Sequence, residues 1–180
     1  MRDVFIQSIG IPEHQVFTQH DITLSKMQSW IGTEKRAGRL HRIISAETQG
    51  DATLYFYYSG HGAPAINDQW NAYITPSDAN PDYIEHTGYP LDALYRTLAT
   101  LPVKQVVIFL DACFSGESND GLIFENISPV LLKEVRIPSR NLDPKLTVIT
   151  ASSANDMSLW LDQAKHGLFT TYLAKGLNGE

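Results

Sequence analysis

The chain has 180 residues, 43% of them hydrophobic, and 20 acidic side chains against 14 basic ones give it a net charge of -6. This length suits one domain with a sizeable core, so we expect residues 1–180 to form a single domain. The acidic balance argues against a nucleic-acid partner, because proteins that bind nucleic acid usually carry basic patches. No apolar run approaches the ~18 residues of a membrane span, and the first ten residues lack the apolar segment of a signal peptide. We therefore predict a cytoplasmic protein with no membrane partner.

Cys113 is the only cysteine in the chain. A single cysteine excludes an internal disulfide and a multi-cysteine metal site. The sequence also contains no zinc, dinucleotide or P-loop motif. We therefore predict no metal and no cofactor.

The N-terminal region predicts helices and one weak strand. Residues 4–9 fit either a short strand or a helix, and residues 15–18 fit a weak strand. Thr23 is a suitable N-cap for the helix that follows. Apolar residues recur there at helical spacing and resume after a break at 32–38: Leu24, Met27 and Ile31, then Leu40, Ile43 and Ile44.

Three apolar runs predict buried strands, at 53–58, 105–110 and 145–150. Each is rich in β-branched and aromatic residues with little alternation, as expected for strands that are covered on both faces. A shorter strand is predicted at 72–75.

Two more helices are predicted between and after these strands. Pro90 suits the first position of a helix, and the apolar residues after it have i, i+3, i+4, i+7 spacing: Leu91, Leu94, Tyr95 and Leu98. Residues 169–177 predict a last amphipathic helix. Strands that alternate with helices indicate a parallel α/β sheet with right-handed crossovers. Long polar loops at 60–71 and 116–128 then fall where such sheets carry their sites.

Two of the predicted strands end in side chains that can react. The strand predicted at 53–58 is followed by the sequence SGHG, and the strand predicted at 105–110 is followed by DAC. Side chains two residues apart on an extended chain point the same way. Because consecutive strands are usually neighbours, we expect His61 to meet Cys113 above the sheet edge. Ser59 and Asp111 would then lie together one layer lower.

This arrangement supplies a nucleophile and its base. A free thiol has a pKa of about 8.5, so only a few per cent of it is thiolate at pH 7. The His61 imidazole can take the proton of Cys113 or stabilise the thiolate. Gly62 and the backbone around Cys113 can turn N–H groups toward a developing oxyanion. The alternatives are a buried inert cysteine and a histidine that faces solvent; the strand-end positions and the flanking glycines argue against both.

Asp111 is the unusual member of this set. A carboxylate near a thiol raises the thiol pKa and opposes its activation. We therefore interpret Asp111 as a recognition residue for a basic substrate group, with a hydrogen bond added by Ser59. The alternative is that Asp111 caps a following turn.

Four segments carry a resemblance to a known family: YYSGHGAP at 57–64, AYITPSDANP at 72–81, VVIFLDACFSG at 106–116 and HGLFTTYLAKGL at 166–177. Their order matches that family, and so does the separation of about 50 residues between histidine and cysteine. Over most of its length the chain resembles the caspase-like cysteine peptidases, and specifically their bacterial and metacaspase-type branch.

The resemblance implies the caspase–hemoglobinase fold, a mostly parallel open sheet flanked by helices, here with shortened N- and C-terminal strands. The chain would then be one peptidase domain, complete or part of a longer protein. The implied activity is that of an endopeptidase acting on polypeptides, with Cys113 as nucleophile and His61 as general base and acid. The backbone N–H groups of Gly62 and Cys113 would form the oxyanion site.

The same resemblance implies a substrate preference. Classical caspases have glutamine at the place of Asp111 and cleave after aspartate. Metacaspase-type enzymes have aspartate there, together with a serine matching Ser59, and prefer to cleave after Arg or Lys. Calcium activates some of these relatives, but the acidic stretch at 117–120 is too generic to assign a calcium site. Under a basic preference, three residues are candidate self-cleavage points: Lys133, Arg136 and Arg140.

Two other functions stay open on the sequence alone. An inactive caspase-like scaffold that binds partners is favoured by the abbreviated ends and disfavoured by the intact His61 and Cys113. An amidase that acts on small molecules is disfavoured by the long loops, which fit a polypeptide groove better. A cysteine phosphatase is excluded, because its phosphate cradle needs an arginine where this chain has Asn119.

Overall fold

The computed structural model of the protein describes residues 1–47, 50–65, 72–112, 114, 117–118, 121–122, 142–151, 160–161 and 166–180. The described strands are β1 Gly32–Thr33, β2 Arg36–Ala37, β3 Thr53–Ser59, β4 Gly62–Pro64, β5 Ala72–Ile74, β6 Tyr89–Pro90, β7 Gln105–Asp111, β8 Glu117–Ser118, β9 Gly121–Leu122, β10 Leu146–Thr150, β11 Trp160–Leu161 and β12 His166–Gly167. The described α-helices are α1 Arg2–Gln7, α2 Leu24–Trp30, α3 Arg39–Glu47, α4 Ile84–Thr87, α5 Leu91–Ala99 and α6 Leu168–Asn178, and 3-10 helices lie at Glu13–Gln15 and Pro81–Tyr83. Within these residues, no helix is long and apolar enough to cross a membrane.

The centre of the molecule is a parallel sheet with the strand order β10-β7-β3. Its strands confirm the predictions at 53–58, 105–110 and 145–150, with ends that differ by one residue or less. With helices flanking it, this sheet confirms the predicted α/β class.

One face of the sheet belongs to the main core. Val106, Ile108 and Leu110 alternate along β7 on this face and are fully buried. The apolar residues predicted for α5 are buried in the same cluster: Leu91, Leu94, Tyr95 and Leu98. Each fully buried aliphatic side chain stabilises the fold by about 1.5–3 kcal/mol, so this packing anchors the strand that ends in Asp111.

The helix α5 begins one residue later than predicted. Pro90 has an extended backbone, with φ -61° and ψ 132°, and it pairs with Tyr73 of β5. The proline ring restricts φ to a value that suits both helix and extended chain, and the strand pairing selects the extended form. Pro90 is therefore the N-cap of α5, not its first residue.

The opposite face of the sheet is covered in part by α1. The ring of Phe5 contacts Tyr55, Tyr57 and Phe109, with ring centroids 6.1, 6.5 and 6.3 Å away. Such aromatic pairs contribute about 0.5–1.5 kcal/mol beyond their buried area. The segment 4–9, which fitted either structure, is helical in its first part, so the expectation of a shortened N-terminal strand is wrong for these residues. The last helix, predicted at 169–177, is confirmed as α6.

A small antiparallel sheet, β4-β5-β6, lies next to the end of β3. Strand β5 confirms the prediction at 72–75. Strand β4 corrects the loop predicted at 60–71, because Ala63 pairs with Tyr73 and is buried with it in a second small core. The second predicted loop, 116–128, contains the paired strands β8 and β9. The rest of both loops lies outside the described residues.

The strand predicted at 15–18 is wrong. Gln15 ends a 3-10 helix, and Val16 is extended, with φ -100° and ψ 109°, without belonging to a described strand. Phe17 packs on Trp30 of α2, with ring centroids 5.5 Å apart. The β-branched and aromatic residues of this segment therefore pack in part on a helix and do not form a sheet ladder.

Helices α2 and α3 confirm the two helices that were predicted from the apolar residues starting at Leu24 and at Leu40. The Thr23 hydroxyl accepts a hydrogen bond from the Lys26 N–H at 3.4 Å, as an N-cap should. The break predicted at 32–38 is the hairpin of β1 and β2.

Candidate active site

The carboxyl ends of β3 and β7 lie side by side. In their parallel ladder, Ser59 is the register partner of Asp111. The Gly60 N–H donates to the Asp111 carbonyl at 3.1 Å, so the pairing continues one residue beyond β3. The pairing of these two strand ends was expected from sequence and is confirmed.

His61 follows in a turn whose backbone is held by two donors. Its carbonyl accepts a hydrogen bond from the Thr75 N–H at 3.0 Å, and the Tyr58 hydroxyl can donate either to this carbonyl at 2.8 Å or to the Thr75 carbonyl at 3.2 Å. Burial raises the pKa of Tyr58 above its ordinary value, so this hydroxyl keeps its proton and donates at neutral pH. His61 is exposed at the surface, as in the alternative of a histidine that faces solvent, while the hydrogen bonds to its carbonyl hold its main chain.

Gly60 provides the space for this arrangement. A Cβ atom on Gly60 would lie 2.6 Å from the Tyr58 hydroxyl oxygen. Any larger residue would therefore displace that hydroxyl from the His61 turn. Gly62, one residue beyond His61, is buried and begins β4 opposite Ile74. The oxyanion role of the Gly62 N–H stays a prediction.

The Asp111 carboxylate is enclosed where β7 meets the start of α6. Asp111 is only 6% exposed, and its Oδ2 accepts a hydrogen bond from the Thr170 hydroxyl. Gly167, the N-cap of α6, packs directly on the carboxylate. A Cβ atom there would lie 2.8 Å from Oδ1 and 2.9 Å from Cγ of Asp111, and closer still to Oδ2. A glycine is therefore required at this contact.

Tyr57 joins the same cluster from β3. Its hydroxyl lies 2.5 Å from the Thr170 hydroxyl. Burial raises the pKa of Tyr57, hydrogen bonds with Thr170 and Ser59 lower it in part, and the charge of Asp111 raises it again. Tyr57, Ser59, Asp111 and Thr170 thus form one polar cluster, which we call the Asp111 cluster.

Cys113 lies outside the described residues, and its meeting with His61 stays a prediction. Both of its chain neighbours are described. Ala112 and Phe114 are buried in the main core. The candidate self-cleavage residues Lys133, Arg136 and Arg140 also lie outside the described part of the chain.

Sequence reasoning missed four residues of this region. Tyr57 and Tyr58 stand in a strand and were interpreted as core residues; the two-residue alternation that groups Tyr57 with Ser59 could have indicated the first. Thr170 and Gly167 are more than 50 residues from Asp111 along the chain. Both lie in the segment 166–177 that carries the family resemblance, but its spacing does not indicate a contact with Asp111.

The described residues contain no group of three His, Cys, Asp or Glu side chains that could hold a metal ion. Asn119 and Asp120 of the stretch 117–120 lie outside the described residues, and calcium activation stays a hypothesis.

A parallel sheet that carries polar side chains at the carboxyl ends of adjacent strands defines an α/β protein with its site at the sheet edge. A family model described as the caspase domain matches residues 2–180. The chain therefore belongs to the caspase-like family of cysteine peptidases, whose substrates are polypeptides. The comparison with curated proteins found no match.

Proposed function

We propose that the protein is a cysteine endopeptidase of the metacaspase type that cleaves polypeptides after Arg or Lys. The observation that carries the proposal is the register of β3 and β7, in which Ser59 is opposite Asp111. His61 and Cys113 each follow these partners by two residues. Membership of the caspase-domain family supports the same assignment.

In the proposed reaction, His61 takes the proton of the Cys113 thiol and the thiolate attacks the carbonyl carbon of the scissile bond. The backbone N–H groups of Gly62 and Cys113 stabilise the oxyanion that forms. His61 then gives its proton to the leaving amine, which departs and leaves a thioester on Cys113. Water, deprotonated by His61, hydrolyses that thioester and regenerates the thiol.

The basic preference rests on the environment of Asp111. In the described part of the chain, none of the ion pairs includes this carboxylate, although it is nearly enclosed. A buried charge without a counter-ion is costly, and a substrate guanidinium or ammonium would supply one. Ser59, exposed beside it, offers a hydroxyl to the same group.

Cleavage of fluorogenic peptides that differ only at P1 tests the proposal. We expect kcat/KM for P1-Arg and P1-Lys peptides to exceed that for P1-Asp by about 100-fold or more, because an acidic side chain would meet the Asp111 charge. Faster cleavage after Asp would contradict the preference.

The reacting residues are tested by Cys113→Ala and His61→Ala, which we expect to lower kcat by about 10⁴-fold or more. His86→Ala is the matched control, since His86 is an exposed histidine on α4. An alkylating peptide should label Cys113 far faster than it labels a free thiol. Labelling at the rate of a free thiol would indicate an inactive scaffold.

A further inference from the structure

Two hydroxyl groups and one carboxylate of the Asp111 cluster form a chain of hydrogen bonds. The Thr170 hydroxyl donates to Asp111 Oδ2. A threonine hydroxyl has one hydrogen, so Thr170 cannot also donate to Tyr57. The Tyr57 hydroxyl must therefore donate to Thr170, across the 2.5 Å that separates the two oxygens. The chain runs in one direction, from Tyr57 through Thr170 to Asp111.

This direction has an energetic consequence. When a hydroxyl accepts a hydrogen bond, it is polarised and becomes a stronger donor. Thr170 is 5% exposed and Asp111 6%, so water has little access to compete for either group. The carboxylate is therefore held in one orientation by a neutral donor that is itself held by Tyr57.

A neutral donor differs from a cation at this position. A lysine or arginine paired with Asp111 would cancel its charge, whereas a hydroxyl orients the carboxylate and leaves the charge intact. Gly167 adds to the constraint, because its backbone packs against both carboxylate oxygens. The start of α6 thus fixes where Asp111 lies without neutralising it.

We propose that Thr170 is a positioning residue for substrate selectivity, holding the Asp111 carboxylate so that it pairs with a basic P1 side chain. This inference rests on the proposed function, in which Asp111 receives that side chain. Under this inference, α6 belongs to the selectivity site together with the ends of β3 and β7.

The test compares peptides with arginine or citrulline at P1, which have nearly the same shape and differ in charge. The measured quantity is the ratio of kcat/KM for the two peptides. We expect Thr170→Val to lower this ratio about tenfold, because a loosely held carboxylate pairs less well with the guanidinium. Thr170→Ser keeps the hydroxyl and should retain most of the ratio.

Thr100→Val is the matched control. Thr100 is the C-cap of α5, and its hydroxyl donates to the Thr97 carbonyl at 2.8 Å, away from the Asp111 cluster. We expect it to leave the ratio unchanged. If Thr170→Val lowers kcat/KM equally for both peptides, Thr170 is merely structural and the inference is wrong.

The variant Asp111→Asn separates this inference from the proposed function. A ratio that Asp111→Asn leaves at the wild-type value contradicts the proposed role of Asp111 itself. If Asp111→Asn lowers the ratio but Thr170→Val does not, only the proposed role of Thr170 is contradicted.

A stability measurement keeps the contact testable if neither peptide is cleaved. We expect the losses in thermal midpoint for Thr170→Val and Asp111→Asn to be non-additive in the double variant, because the two groups share one hydrogen bond. Additive losses would contradict the contact on which the inference depends.

Discussion

Two adjacent tyrosines of β3 hold opposite halves of the candidate site. Tyr57 lies on one face of the sheet, where its hydroxyl meets Thr170 of the Asp111 cluster. Tyr58 lies on the other face, where its hydroxyl donates to the backbone of His61. Because side chains alternate along a strand, one dipeptide contacts both the proposed recognition half, around Asp111, and the proposed catalytic half, around His61. The two functions should therefore be separable by mutation.

The two halves are also held by different means. The recognition half depends on side chains that contact one another, and the catalytic half depends on hydrogen bonds to the main chain. A change in the first should alter which substrate is cleaved. A change in the second should alter how fast any substrate is cleaved.

The largest effect on stability is expected at Gly167, where a side chain has no space. Gly167→Ala would drive a Cβ atom into the enclosed Asp111 carboxylate, and we expect the free energy of unfolding to fall by about 1–3 kcal/mol. Denaturant unfolding measures it. Gly176→Ala in the same helix is the control, because a Cβ atom there meets nothing within 4 Å and should be neutral or stabilising by up to about 1 kcal/mol. Equal effects at both positions would contradict the close contact.

Removing the Tyr58 hydroxyl should break the catalytic half alone. Tyr58→Phe deletes the hydroxyl that lies within hydrogen-bond distance of the His61 and Thr75 carbonyls, and we expect a loss of about 1 kcal/mol in stability. We also expect kcat to fall about tenfold on P1-Arg and P1-citrulline peptides alike, since His61 is less well fixed. A change in the Arg-to-citrulline ratio would contradict the separation of the two halves.

Removing the Tyr57 hydroxyl should weaken the recognition half by a smaller amount. Tyr57→Phe leaves the bond from Thr170 to Asp111 in place and removes only the donor behind it. We expect the Arg-to-citrulline ratio of kcat/KM to fall about two- to threefold, with kcat for P1-citrulline unchanged. An effect on kcat as large as that of Tyr58→Phe would show that the two tyrosines are not divided between the halves.

The pH dependence of stability tests the burial of the two hydroxyls. Burial raises the pKa of both tyrosines above the ordinary value of 10.0. The unfolded chain therefore releases these protons near pH 10 while the folded chain keeps them. Stability from this source is complete below pH 10 and is lost as the pH rises toward the folded pKa. We expect the free energy of unfolding between pH 9 and 11 to fall less steeply in Tyr58→Phe than in the wild type, and an unchanged slope would contradict the burial of this hydroxyl.

The sequence was sufficient for the parts of the fold that depend on local patterns. The strands ending in Ser59 and Asp111, and the helix that begins at Leu91, follow from apolar runs and helical spacing. The register of the two strand ends follows from the tendency of consecutive strands to pair. The segment 15–18 was misread because its β-branched and aromatic residues favour a strand, whereas Phe17 packs on Trp30 of α2.

The contacts within the site could not be predicted from local patterns. Thr170 reaches Asp111 only because α6 returns to the sheet, and single-sequence spacing carries no record of that return. The role of Tyr58 was hidden for another reason. Its ring is a core residue, and only its hydroxyl, at the far end, reaches the His61 turn.

The most direct test is a crystal structure of the protein after reaction with a chloromethyl ketone peptide that has arginine at P1. The thiolate of the nucleophile displaces chloride and leaves a thioether that fixes the arginine in its binding site. We predict a thioether on Cys113, with the guanidinium about 3 Å from an Asp111 oxygen and Thr170 still donating to the same carboxylate. A guanidinium directed away from Asp111, or a peptide attached to another residue, would contradict the account.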